Sequence, residues 1–203
     1  MTMARARTYR GISADDRRSL RRRQLVDAAL ELWGAGDGTR VTMTAICQTA
    51  HLTERYFYES FPQLDHALVA VVDEIGDRIQ RATVVALAGA GADPLDRATA
   101  VVDAFVRTVL DDPRLGRIVL LEAAGLEATR PRRELVLRRL ARLTAREARR
   151  LHGPATWSEA DGPLLATMFV GGVVQVLVAA LEPDGPTADE VVAVAARAFR
   201  AIS

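Results

Sequence analysis

Thr42, Thr44, Thr53, Arg55, Tyr56 and Tyr58 crowd into the stretch from Val41 to Phe61, V-T-M-T-A-I-C-Q-T-A-H-L-T-E-R-Y-F-Y-E-S-F. Their groups suit binding rather than catalysis: hydroxyls and phenols that meet phosphate oxygens, and a guanidinium whose fork matches the acceptor edge of guanine. No Ser/His/Asp, Cys/His or paired-carboxylate spacing suggests a reaction centre, and the three histidines are scattered. Cys47 is the only cysteine, so no intrachain disulfide can form and no metal-ligand spacing is present. Neither enzyme, metal nor cofactor is expected, and a reducing cytoplasm is the natural setting.

Two short helices must position these groups. Thr42 precedes Ala45, Ile46 and Ala50; Thr53 precedes Phe57 and Phe61. Threonine is a good N-cap because its hydroxyl accepts from a backbone N–H that the first helical turn leaves unpaired. Only Ala50-His51-Leu52 lies between, which is room for a tight turn. The second helix then exposes Arg55, Tyr56 and Tyr58 and buries Phe57 and Phe61, the build of a helix-turn-helix presenting a recognition helix to duplex DNA. Arg55 and Tyr56 are the candidates for base edges, with Thr44 a further candidate from the preceding helix. A plain surface role stays open for Arg55 and Thr44. Thr42 and Thr53 sit at helix N-termini, where they cap, contact phosphate, or do both. Cys47 and His51 are most simply structural, with oxidation sensing the lesser alternative for Cys47.

Val41-Thr42-Met43, Ile46, Ala50, Leu52-Thr53, Phe57-Tyr58 and Phe61-Pro62, followed by a further helix, resemble the DNA-binding signature of TetR-like (TetR/AcrR) transcriptional regulators. The resemblance extends from Leu25–Trp33 to about Leu68, roughly the first third of the chain. Beyond it, only length and an all-helical pattern agree. Three positions depart from the family pattern: His51 stands where a turn glycine is usual, Gly38 where an aromatic residue is frequent, and Leu64 where a phosphate-binding lysine is common. The resemblance implies a phosphate contact for Tyr58, a four-helix bundle made by the last two helices and their copies, and a small molecule that enters the larger helical domain and releases DNA. Repression is part of that implication; activation is its alternative.

Charge is distributed unevenly. The whole chain carries a formal +1, yet residues 1–23 hold eight arginines against Asp15 and Asp16, about +6, which leaves about −5 for the rest. Lysine is absent, so a GC-rich genome accounts for the arginines as readily as function does. A basic arm beside a DNA reader would strengthen phosphate attraction. The expected organisation is a mobile basic arm over 1–14, a helix-turn-helix domain over 15–75 and a helical ligand-binding and dimerisation domain over 76–203.

The chain reads as all-α, with about nine helices and no credible strand. Leu25, Ala28, Ala29, Leu32 and Trp33 form the stripe of the first. Asp93-Pro94 and Asp112-Pro113 open later ones, the second carrying Ile118, Val119, Leu121 and Leu126. Arg130-Pro131 opens a basic helix whose arginines read as a solvated face, with an auxiliary nucleic-acid surface as the alternative. Leu164–Leu181 is apolar enough to raise a membrane span, but Gly171-Gly172, Gln175 and the acidic flank favour a helix buried by a partner subunit. Thr187 and Glu190 form a capping box for the last helix, whose face is Val191, Val194, Ala195, Ala198, Phe199 and Ile202. Phe105, Val109, Leu120, Met168 and Phe169 are the candidate lining of an aliphatic effector pocket, though each also reads as plain core.

A single helix-turn-helix reads few base pairs, so a homodimer on a near-palindromic operator in double-stranded DNA is expected. The expected function is a bacterial, cytoplasmic, nucleoid-associated repressor released by a small apolar effector. A dimeric interaction or sensor protein with weakened DNA reading is the alternative.

Overall fold

The structure is a computed structural model that describes residues 13–36, 38–155 and 157–201. The basic arm expected over residues 1–14 lies outside them, except that Ser13 and Ala14 already belong to the first helix. Nine α-helices and no strand are found among the described residues.

Helix α1 (Ala14–Ala35) opens on a capping box: the Asp16 amide donates to Ser13 Oγ at 3.0 Å, and the Ser13 amide donates back to the Asp16 carboxylate at 3.3 Å. Leu25, Val26, Ala28, Ala29 and Leu30 are its buried side chains. It ends at Gly36, whose φ of 62° is left-handed; a Cβ there would also lie 2.2 Å from Arg117 Nε.

Helices α2 (Met43–Thr49) and α3 (Glu54–Ser60) follow, with Ile46, Cys47 and Phe57 buried. Helix α4 (Leu64–Gly89) is the longest, about 39 Å at the helical rise per residue. Its first half packs on α1 and its second half on α5 (Pro94–Leu110) and α7 (Arg130–His152), so one continuous rod belongs to both halves of the molecule. Asp93 caps α5 through the amides of Leu95 and Asp96 at 2.8 and 3.1 Å.

The single helix expected after Asp112-Pro113 is instead broken. Helix α6 (Pro113–Gly116) makes one turn, a π-helical turn runs over Arg117–Leu121, and two 3₁₀ turns fill Glu122–Gly125 and Glu127–Thr129. Close packing at the start and a buried polar anchor at the end account for the break. A Cβ on Gly116 would lie 2.7 Å from the Val109 carbonyl oxygen, so the backbone passes tightly under α5. The wholly buried Thr129 hydroxyl lies 2.6 and 2.7 Å from the carbonyl oxygens of Ala123 and Leu126, tying the 3₁₀ turns together.

Helix α8 (Gly162–Ala180) turns Ala166, Phe169, Val170, Val173 and Leu177 inward, and α9 (Ala188–Ala201) turns Val191, Ala195 and Phe199 inward. The Thr187–Glu190 capping box is present. Val194 and Ala198, expected on the same face as Val191, are exposed instead, and Ile202 lies outside the described residues. Among the described residues α8 alone is long and apolar enough to cross a membrane, and only 28% of that stretch is buried within the chain.

The basic face of α7 hides one carboxylate. Glu147 is 1% exposed and accepts from Arg97 on α5 at 3.1 Å and from Arg150 at 3.1 Å, while Arg97 also reaches the Leu87 carbonyl oxygen at the end of α4. This pairing clamps α4, α5 and α7 at one end. Truncating one member of a buried pair strands the other charge, a loss of about 3 kcal/mol here, at the low end because both arginines retain some solvent. Glu147→Ala is expected to lower the thermal midpoint by roughly 6–12 °C at ~2–4 °C per kcal/mol, and Glu147→Gln by less. Calorimetric unfolding checks this; an unchanged midpoint for Glu147→Ala would show that the clamp contributes nothing.

Candidate nucleic-acid interface and effector cavity

The α2–α3 turn is a Schellman motif with histidine in the left-handed position. The Leu52 amide donates to the Cys47 carbonyl at 2.9 Å, the His51 amide donates to the Gln48 carbonyl at 3.1 Å, and His51 has φ 54°. Histidine tolerates this region better than β-branched residues do, so the turn closes without the usual glycine. Below it Phe57 and Phe61, 1% and 2% exposed with ring centroids 5.5 Å apart, anchor α3 to the core.

The six candidate residues separate by what already holds them. The Thr42 hydroxyl caps α2, accepting from the Ala45 amide at 3.1 Å. Of the alternatives open to the two threonines, Thr53 does not cap; its exposed hydroxyl is left free at the N-terminus of α3. Thr44 donates to Glu54 at 3.2 Å, across the turn. Arg55 donates to Glu59 at 3.0 Å, but with 83% of its side chain exposed this i,i+4 pair is a weak tether. Tyr58 is 60% exposed and stands edge-on to Phe57. Tyr56, expected on the open face, is half-buried, and the Arg21 guanidinium lies 4.4 Å from its ring centroid. Thr42, Thr44, Thr53, Arg55 and Tyr58 are thus each exposed, while Tyr56 is half-buried against Arg21.

Two contributors were not singled out in the sequence. Arg21 and Arg22 of α1 cover Tyr56 and Phe61, the second at 4.8 Å, which places the N-terminal half of α1 beside the recognition helix. Arg17, Arg18, Arg21, Arg22 and Arg23 lie on α1, within the stretch expected over 15–75 and outside the arm expected over 1–14. Their spacing of three and four was the available signal. Glu54 and Glu59 are the second addition, since α3 carries two carboxylates against one arginine. Cys47 is buried, and that burial first, then the Glu54 charge, raises its thiol pKa, which disfavours the reactive thiolate.

The effector residues divide as well. Phe105 and Val109 of α5 and Leu120 of the π-helical turn line one interior cavity of about 30 Å³ between α4, α5 and α7. Met168 does not reach it: it is 74% exposed on the outside of α8. Phe169 packs against Phe199, with centroids 5.7 Å apart. The cavity adjoins a larger groove of about 490 Å³ between α4 and α7, the two sharing Gly76, Ile79 and Val136 as walls. Outside, Met168, Val176, Val194 and Ala198 flank an entirely apolar trough of about 390 Å³ between α8 and α9. A Cβ on Gly171 or Gly172 would meet nothing in this chain, so another backbone has room to approach there.

Among the described residues no group of His, Cys, Asp and Glu is placed to hold a metal ion. No family model and no curated protein matches the chain. Solved structures do. A TetR-like transcriptional regulator from Rhodococcus sp. RHA1 superposes with a TM-score of 0.71 at 18% identity, over 90% of this chain and 94% of its own. A TetR-family regulator from Streptomyces coelicolor gives 0.72 at 16% identity, over 91% and 80%. AibR, solved in complex with isovaleryl coenzyme A and operator DNA, gives 0.67 at 17% identity, over 87% and 96%. The chain has the all-α fold of TetR-like transcriptional regulators.

Proposed function

We propose that the protein is a homodimeric, sequence-specific transcriptional regulator of the TetR type, a non-enzymatic repressor that leaves a near-palindromic operator when a small molecule occupies its helical domain. The observation that carries this is the exposure of Thr42, Thr44, Thr53, Arg55 and Tyr58 on an α2–α3 unit rigidly seated on α1. Arg55 reads a base edge, Tyr58 and the free Thr53 hydroxyl meet phosphates, and the α1 arginines supply sequence-independent attraction. Residues 15–75 form the reading domain and residues 76–203 the effector and dimerisation domain. The setting is the cytoplasm of a bacterium, on the nucleoid when DNA is bound.

Dimerisation uses the outer faces of α8 and α9. Leu164, Met168 and Val194 are exposed at 66%, 74% and 47%, an apolar surface that a soluble monomer seldom leaves bare. Two copies paired there hold two α3 helices at a fixed spacing, which sets the half-site separation at about 34 Å or a multiple. An effector favours release only through its differential affinity for the two forms, about 1.4 kcal/mol for each factor of ten. The AibR structure, holding both an acyl thioester and an operator, supports this pairing of roles on the same fold.

A second reading, an interaction or sensor protein with weakened DNA contacts, is favoured by Leu64 at the start of α4 and by Glu54 and Glu59 on α3. A mobility-shift assay on DNA flanking the gene separates the two. Arg55→Ala is expected to weaken operator binding about 5- to 150-fold, the ~1–3 kcal/mol of a bidentate guanine contact, while binding to random duplex changes little. Tyr58→Phe weakens both alike. No preference for any two-fold repeated site over random duplex would favour the second reading. For the interface, Met168→Glu combined with Val194→Glu is expected to convert the dimer to a folded monomer in sedimentation; an unaltered dimer would place the interface elsewhere.

A further inference from the structure

The groove between α4 and α7 carries a charge pattern that a purely apolar effector would not use. The two helices run side by side in parallel register, since Asp73 pairs with Arg132 at 2.9 Å, Gln80 accepts from Arg139, and Leu87 and Glu147 share Arg97. Ile79, Leu140 and Leu143 contribute apolar wall, and Arg139, Arg142 and Arg146 rise from the α7 side. Most arginines of α7 that point elsewhere have carboxylates: Arg130 and Arg138 pair with Glu134, Arg132 with Asp73, Arg149 with Glu159, and Arg150 with Glu147, while Arg133, on the wall of the small cavity, donates to the Val119 carbonyl oxygen at 3.2 Å. Those at the groove are not neutralised in this way. Arg139 has only the amide of Gln80; Arg142 has no ion pair or hydrogen bond among the described residues; Arg146 approaches Glu147 no closer than 3.8 Å, and that carboxylate is already held by two nearer arginines. Uncompensated positive charge is thus concentrated along one lip of an apolar trough.

The trough also has a direction. Its inner end is at Gly76 and Val136, where α4 and α7 touch: a Cβ on Gly76 would stand 3.1 Å from Val136 Cγ2, so this close contact ends the trough and separates it from the small cavity lined by Phe105 and Leu120. Its outer end is at Arg142 and Arg146. From Val136 to Arg146 is ten residues, about 15 Å of helix, roughly the reach of an extended chain of a dozen carbons.

We infer that this groove binds a single-chain fatty carboxylate, with the carboxylate between Arg142 and Arg146 and the tail lying along the groove toward Gly76. A carboxylate is held by guanidinium forks through charge-assisted hydrogen bonds, and the chain replaces water along the exposed Val84 and the partly buried Leu87 and Leu143. The inference rests on the effector role proposed above and gives that effector a chemical class, amphiphilic and anionic.

The test is calorimetric titration of the full chain, free of DNA, with dodecanoate below its micellar range, and with dodecanol and dodecanoyl coenzyme A as comparison arms. Dodecanoate is expected to bind at one site per chain and at least tenfold more tightly than dodecanol. The double variant R142Q/R146Q is expected to lose at least tenfold for dodecanoate and to leave dodecanol unchanged, with circular dichroism and the thermal midpoint confirming the fold. Equal affinity for the acid and the alcohol, or full retention of dodecanoate by the double variant, would overturn the proposal. Saturable binding of the coenzyme A thioester with none of the free acid would overturn it also, placing the anion in a phosphate rather than a carboxylate. A parallel mobility shift keeps the two readings apart. Dodecanoate uptake without any operator binding refutes the regulator and leaves the groove standing; operator binding without dodecanoate uptake refutes the groove alone.

Discussion

Helix α4 is the constraint on which the rest of the molecule depends. Ala67, Leu68, Val71 and Val72 lie buried in its first half, which packs on α1, and Ile75 and Ile79 lie buried farther along, where it faces α5 and α7. A hydrogen-bonded helix of 26 residues bends reluctantly, so the seat of α3 and the wall of the cavity are two parts of one rigid body. Gly76, the one residue without a side chain near its middle, is placed where Val136 of α7 packs closely on α4: a Cβ there would stand 3.1 Å from Val136 Cγ2.

A second physical connection runs through the broken segment after Asp112. The π-helical turn Arg117–Leu121 contributes Val119 and Leu120 to the cavity, and its first residue, Arg117, lies against Gly36 at the end of α1, while Arg114 lies against Gly34. Turns of this kind carry one residue more per hydrogen-bonded loop than an α-helix and are frequent at functional sites. The same five residues therefore touch both the interior cavity and the helix that carries the DNA-facing arginines. Contiguity of this kind supplies a route for coupling; its size is set by how differently an effector binds the two arrangements.

Much of this was legible in the sequence wherever a local rule had one physical meaning. Thr42, Asp93 and the Thr187–Glu190 box predicted caps that are present, and Phe57 and Phe61 predicted the buried side of α3. Legibility ended where a rule had two outcomes. Helix α8 is apolar around its whole circumference, so periodicity could not say that Phe169 faces inward and Met168, about 100° away, faces out. The run after Pro113 has helical spacing, yet the tight passage of Gly116 under Val109 and the anchor at Thr129 are tertiary effects that no spacing encodes. Glu147 sits among arginines in a segment that reads as a solvated face, and only packing against Arg97 of α5 makes it a buried clamp.

The electrostatics of the reading surface separate affinity from specificity. Helix α3 carries Glu54 and Glu59 with Arg55, so its own charge opposes approach to phosphate rather than assisting it. The compensating cations lie on α1, where Arg21 and Arg22 are held by the rings of Tyr56 and Phe61 and are oriented before any DNA arrives. In the proposed function, attraction that depends on salt would then come from one helix and base reading from another. The pairing of Arg55 with Glu59 adds a threshold: a base edge must offer better acceptors than the carboxylate already does, which two acceptors of guanine in fork geometry can and a lone phosphate oxygen in solvent hardly can. A recognition helix that is not itself basic is, on this account, one that discriminates because it does not bind every duplex equally well.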